Sequence, residues 1–158
     1  MAAIILPKGN LIRIYAPDKL ATPTVTTLGW RELSDHNRSE LEVSSMRIEE
    51  TQRMANGFLR KFWVADKKTF SVSWTMLPSY RSETADGKWG AEDIREFYKS
   101  DLGRDVFKIR VNFSKGGLKD YDTTKEEEYL VSFTNCNFTL VKRGVNAFWN
   151  VSLSMEEV

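Results

Sequence analysis

Ser34, Asp35 and His36 set a hydroxyl, a carboxylate and an imidazole in consecutive positions, the three groups of a nucleophilic triad. A triad needs the three side chains to converge in space, and neighbours in a loop seldom do. His36, the only histidine, therefore reads as a solvated loop residue. Glu126-Glu127-Glu128 is the densest acid cluster. It lacks the alternating oxygen ligands and the glycine of a calcium loop, and reads as a solvated charged face. Glu49-Glu50 reads as solvent-exposed strand charge. Gly87-Lys88-Trp89-Gly90 precedes a helical stretch, but without the spacing of a phosphate loop. Cys136 is the single cysteine, which excludes an intrachain disulfide and a Cys-rich zinc site. With no nearby His or Arg to make a thiolate, it reads as a buried, inert thiol. No acid–base set, metal cluster or cofactor motif emerges, so the expectation is no enzyme, no cofactor and no metal.

The chain has 158 residues, with 23 basic and 22 acidic side chains and a formal charge of +1. That length reads as one domain, 1–158, with residues 1–40 an extended segment and loop and residues 41–158 the folded body. A neutral balance provides no field for holding nucleic acid. The start, Met1 to Pro7, is too short and charge-poor for a signal peptide, and no stretch approaches a membrane span. A lone cysteine fits assembly in a reducing cytosol. Triplets of the Asn-x-Ser/Thr type begin at Asn37, Asn112, Asn137 and Asn150, and three of the four read as strand residues on a polar face.

The texture is that of strands. Leu11 to Tyr15 forms a possible first strand. Residues 16–40, broken by Pro17, Pro23 and Gly29, predict a long loop. Met46 and Ile48 alternate with Arg47 and Glu49. Asn56-Gly57 then predicts a type I′ hairpin turn, with Phe58 to Val64 returning and Asp66-Lys67-Lys68 turning again. Phe70, Val72, Trp74 and Met76 face one way, with Thr69, Ser71, Ser73 and Thr75 opposite. Residues 91–99 predict a helix with Ile94, Phe97 and Tyr98 on one face. Phe107, Ile109, Val111 and Phe113 make the next apolar strand face. Lys115-Gly116-Gly117 predicts a turn and residues 118–128 an exposed charged stretch. Beyond Phe133 the alternation changes parity near Thr134–Cys136, the mark of a β-bulge. The last strand carries Trp149, Val151, Leu153 and Met155. About seven strands and one helix, without a βαβ rhythm, predict a mainly β fold: an antiparallel β-sandwich or open barrel with one short helix at its side.

Residues 53–63 mix basic, apolar and aromatic side chains on both strand faces. Three readings stand: both faces buried in the core, a subunit interface, or nucleic-acid stacking.

The run Phe70 to Pro78, a Gly-Trp loop, a short helix, Phe107 to Phe113, Phe133 to Leu140, Lys142-Arg143-Gly144 and Phe148 to Val158 resemble, in order and texture, tailed-bacteriophage tail proteins of the tail-tube and baseplate-hub type. The resemblance spans about residues 57–158. It implies a virion structural protein, a main-tube, initiator or distal-tail subunit that stacks in rings, commonly six-fold, around a lumen for DNA. Its partners would be copies of itself and neighbouring tail proteins, with assembly in the host cytoplasm. It also implies that a long hairpin and a long loop bridge subunits, which assigns Leu28, Trp30, Met54, Asn56, Gly57, Phe58, Phe62 and Trp63 to the interface. The rival reading is a cellular β-sandwich module that binds a small ligand or carbohydrate through Trp30, Trp63 or Trp89.

Overall fold

The computed structural model describes residues 10–19, 23–113 and 126–158. The turn expected at residues 115–117 and the charged stretch 118–125 lie outside them. Seven strands form one open antiparallel sheet: β1 (Ile12–Asp18), β2 (Val25–Glu32), β3 (Glu42–Arg53), β4 (Leu59–Pro78), β5 (Phe107–Asn112), β6 (Glu126–Lys142) and β7 (Phe148–Glu157). Their order is β2-β1-β5-β6-β7-β4-β3. Of the two architectures expected, the open barrel is the one adopted.

The curl of the sheet follows from its contacts. β1 and β4 stand four strand spacings apart, roughly 19 Å on a flat sheet. Yet the Leu33 N–H donates to the Ile12 carbonyl at 3.0 Å, and the next residue, Ser34, accepts from Trp74 Nε1 at 2.7 Å. Two consecutive residues touch both strands, so the sheet must fold toward itself. Ile12, Ile14, Leu33, Trp74, Leu77, Ile109, Val131 and Leu153 consequently share one core. Residues 33–41 carry the chain from one sheet edge to the other, held by Ser39 N–H to the Ser73 carbonyl (2.8 Å) and Thr75 N–H to the Asn37 carbonyl (3.3 Å).

Helix α1 (Ala91–Lys99) lies on the core side. Ala91, Ile94 and Phe97 are buried, while Tyr98 is exposed. Burying Ile94 and Phe97 contributes about 1.5–3 kcal/mol each. Phe97 meets Phe107 edge-on at 5.1 Å, and Phe107 meets Phe133 at 4.6 Å, which seats the helix over β5 and β6. Its start packs tightly: a Cβ on Gly90 would stand 2.6 Å from the Pro78 carbonyl oxygen. Asp93 Oδ2 accepts from the Gly90 N–H at 3.0 Å, capping the first turn. A second helix, α2 (Asp101–Arg104), follows, capped by Ser100 Oγ accepting from Gly103 N–H at 3.2 Å.

Bulges account for several differences from the alternation. The predicted parity change in β6 is present, between Phe133 and Asn135. Another falls between Trp74 and Leu77, where Met76 adopts φ 54° and gives its N–H to Asn150 Oδ1 at 3.1 Å. Leu77 therefore takes the buried place that strict alternation assigns to Met76. A third puts Ala65 opposite Ile48 and Trp63 opposite Glu49, leaving Val64 as the extra residue. No turn forms at Asp66-Lys67-Lys68; β4 runs straight through it, because its pairing with β3 continues on both sides.

The 16–40 stretch is not a long loop. Val25–Glu32 pairs with β1, Trp30 opposite Tyr15, since the turn residues Pro17, Pro23 and Gly29 fall at strand ends or at an edge position that tolerates them. The hairpin turn also differs from type I′. Of Asn56 and Gly57, only Gly57 has positive φ, at 85°. Met54 pairs with Phe58 through its N–H at 2.8 Å, and Gly57 N–H returns to the Met54 carbonyl at 2.8 Å. That is a three-residue loop closing on a left-handed glycine. Gly57→Val should cost about 1–2 kcal/mol through backbone strain alone, because no atom lies near the new side chain. Asn56→Ala should cost less, since only its Oδ1 contact with Phe58 N–H (3.2 Å) is lost. Equal urea midpoints for Gly57→Val and wild type would refute this turn geometry.

Candidate assembly surfaces

β4 residues 69–78 pair with β7, whereas residues 59–68 pair only with β3. At ~3.3 Å per residue, this makes a two-stranded ribbon projecting roughly 30 Å from the sheet. Among the described residues, no core packs on either of its faces. Phe58 is 71% exposed, Trp63 63% and Phe62 52%, with Met46, Ile48, Met54, Leu59 and Val64 also exposed. The reading in which both hairpin faces are buried in the core is thus removed.

Residues opposite one another across antiparallel strands share a face. Met46 and Ile48 on β3 therefore share a face with Phe62, reached through the Lys67, Ala65 and Glu50 pairings. The opposite face is ionic. Arg47 meets Asp66 at 2.8 Å, Lys61 meets Glu49 at 3.6 Å, and Trp63 Nε1 donates to Asp66 at 3.1 Å. Hydrogen bonding from Arg47 and then Trp63 holds the Asp66 carboxyl below the usual range. The ribbon thus carries Met46, Ile48 and Phe62 beside Glu50 on one side, and the ion pairs beside exposed Trp63 on the other.

At the other edge of the sheet, no described strand pairs with the outer rim of β2, and at Leu33 Trp89 adds a short parallel bridge. Leu28 on this strand is exposed. Trp30 is half-covered by its own chain: the Arg110 guanidinium lies 4.0 Å over its ring, and Tyr15 tilts against it at 5.1 Å. The interface residues foreseen therefore occupy two places. Met54, Asn56, Gly57, Phe58, Phe62 and Trp63 lie on the ribbon, and Leu28 and Trp30 lie on the far edge.

The triad-like trio is a structural knot. His36 Nδ1 accepts from the Ala85 N–H at 3.0 Å, and Ser34 Oγ accepts from the His36 N–H and donates to Asp86. No imidazole–hydroxyl pair exists there for nucleophilic chemistry. Asp86 is the hub, accepting from Asn10, Ser34 and the N–H groups of Asp35 and Lys88. Burial pushes this carboxyl up, but the four donors outweigh it and leave it below the usual range. Asp93 goes the other way: burial dominates and raises it, despite the Gly90 N–H and Arg81. Sequence reasoning missed Asp86, whose donors come from positions scattered along the chain.

These two carboxyls define opposite pH responses. The stability held by Asp86 is complete above its unfolded pKa and is lost as pH falls through its lower folded value. Asp93 is a penalty at neutral pH that protonation relieves as pH falls through its raised value. Asp86→Ala should cost about 1–2 kcal/mol at neutral pH, the hub being partly solvated. Urea midpoints between about pH 3 and 7 should fall less steeply toward acid in Asp86→Asn than in wild type. Parallel curves would remove Asp86 as an acid-sensitive group.

Glu126 departs from its expected exposure. Its side chain is 4% exposed, within 3.3 Å of Arg13 and 3.9 Å of Arg110, because the curled sheet folds the arginines over it. Glu127 and Glu128 remain partly exposed. Burial pushes the Cys136 thiol up to about 12, which keeps it protonated. Asn112, Asn137 and Asn150 are strand residues as expected, although Asn112 is buried. Trp89, a stacking candidate in the carbohydrate reading, is only 5% exposed. No helix among the described residues is long and apolar enough to cross a membrane.

A curled antiparallel sheet with a flanking helix, two free edges and a projecting ribbon defines the fold class. No protein-family model matches this chain, and no curated protein does. Solved structures match it end to end. One, described as the tail of an empty GTA particle computed with helical refinement and C6 symmetry, aligns over 98% of this chain and 95% of that chain, with TM-score 0.51 and 12% identity. Another, the virion of a native gene transfer agent (GTA) particle, aligns over the same shares with TM-score 0.52 and 12% identity. At that identity, what is shared is the fold.

Proposed function

We propose that this chain is a non-enzymatic structural subunit of a phage-type tail. Copies join head to tail into a ring, six-fold by analogy, which belongs to the tail tube or its baseplate end and surrounds a path for DNA. The whole span 1–158 acts as one tail-tube-like unit. The ribbon carries this reading: an apolar face containing Met46, Ile48 and Phe62 that the chain's own core does not cover. Contacts between different surfaces close into rings when the rotation allows, and the ribbon and the β2 edge lie at opposite rims of the sheet. The end-to-end fold likeness to a chain of a gene transfer agent tail and to a chain of a gene transfer agent virion supports the same assignment, and the C6 symmetry of that tail supports the six-fold expectation. Among the described residues, no catalytic constellation competes with it. Sedimentation and negative-stain electron microscopy of the purified protein should show rings or short tubes. A chain that stays monomeric at every concentration, even with neighbouring tail proteins added, overturns the proposal.

A further inference from the structure

We infer that the groove beside the free edge of β2 is a carboxylate site, and that its occupant is Glu50 on the ribbon of a second copy; this rests on the subunit reading above. The groove holds about 300 Å³ and is lined by Trp30, Arg31, Arg81, Lys88 and Trp89, among others. Its cations, Arg13, Arg31, Arg81 and Lys88, outnumber its carboxylates, Asp18, which pairs with Arg81, and Glu32. Arg31 gives its Nε to the Ala16 carbonyl at 3.0 Å and its Nη2 to the Thr27 carbonyl at 3.1 Å, and meets no carboxylate among the described residues. Trp89 Nε1 and Arg81 Nε are buried without a hydrogen-bond partner among the described residues. Lys88 leans on Glu32 at 2.7 Å, but Glu32 is shared with Arg13 at 2.8 Å. Unmet buried donors beside an uncompensated guanidinium select an anionic acceptor, for which charge-assisted bonds are strongest.

Glu50 is the acceptor the chain itself supplies. It stands opposite Phe62, on the same ribbon face as Met46 and Ile48, and forms no ion pair with any described residue of its own chain. When a second copy covers that face, this carboxylate leaves water, and burying it unpaired is costly. Exposed Leu28 lies on the same β2 edge, so one contact matches apolar to apolar and anion to cation. The pairing also fixes where the ribbon sits along β2, because a slide of one residue, about 3.3 Å, draws the Glu50 carboxylate away from the groove.

A charge exchange tests this. Glu50→Lys should weaken association about tenfold or more, as should Arg31→Glu, since like charges then meet in the contact. The double variant, Glu50→Lys with Arg31→Glu, should recover to within about threefold of wild type. Arg31 also ties β2 to Ala16, so Lys88→Glu serves as a second groove variant, and circular dichroism verifies folding of each. Wild-type rings that tolerate Glu50→Lys, or a double variant that fails to recover, overturn the pairing and leave the ring reading intact. Wild-type protein that never assembles overturns both.

Discussion

Replacing Trp74 with alanine is expected to cost about 3–5 kcal/mol of unfolding free energy, a large share of the ~5–15 kcal/mol that holds a domain folded. Trp74 is 1% exposed at the centre of the core, and its Nε1 is bonded to the Ser34 carbonyl. The substitution leaves a cavity and also strands a buried carbonyl on the crossover segment 33–41. Trp74→Phe keeps most of the volume and loses the bond, so it should fall between the two. Val111→Ala, in the same core with less volume removed, should cost about 1–3 kcal/mol. Urea unfolding followed by circular dichroism measures all three. A Trp74→Ala midpoint equal to wild type would mean that the crossover is held without it.

The second large effect is on association. Ile48→Asp combined with Phe62→Asp should lower the unfolding free energy by no more than about 1 kcal/mol, because both side chains are exposed in the single chain and the main cost is a carboxylate opposite Glu50. The same pair should weaken ring formation about 100-fold or more, by placing two charges in an apolar contact. Analytical ultracentrifugation and circular dichroism on the same samples separate the outcomes. Intact rings would clear this face of any role in assembly, and a collapsed midpoint would show that the ribbon supports its own chain. Trp30→Ala is a less clean probe than its position at the edge suggests, since it also removes the Arg110 and Tyr15 stacking within the chain.

Much of the body was legible because alternation reports burial directly. Phe107, Ile109 and Val111, like Val151, Leu153 and Met155, are buried as their spacing requires. The 91–99 helix is where its charges and apolar face put it. The expected number of strands is also right, but for compensating reasons. The two strands read on either side of Asp66-Lys67-Lys68 are one, and Val25–Glu32 is the strand that was read as loop. Three polar residues in a row mimic a turn, but in a two-sided ribbon polar side chains are an ordinary strand surface. Edge strands tolerate Gly and neighbouring Pro, so β2 carries little signal. Met76 was misplaced because a bulge depends on what lies opposite, here Asn150, and not on the strand's own pattern. The hairpin's mixture of basic, apolar and aromatic side chains on both faces was legible in residues 53–63. The groove at Arg31, Arg81 and Lys88 was not, because its parts come from three separate stretches of chain.

The ribbon at residues 48–65 is two strands wide and packs on no other described element, and isolated two-stranded hairpins are marginal in water. In a free copy its amides should exchange with solvent through local fraying, while those of β1, β5 and β7 await global opening. Ordering the ribbon costs conformational entropy at the moment a neighbour accepts it. The first pairing of two free copies is then slow, and addition to an array whose acceptor edge is already fixed is fast. On the subunit reading, purified copies should reach rings slowly, and faster where a preformed ring is presented.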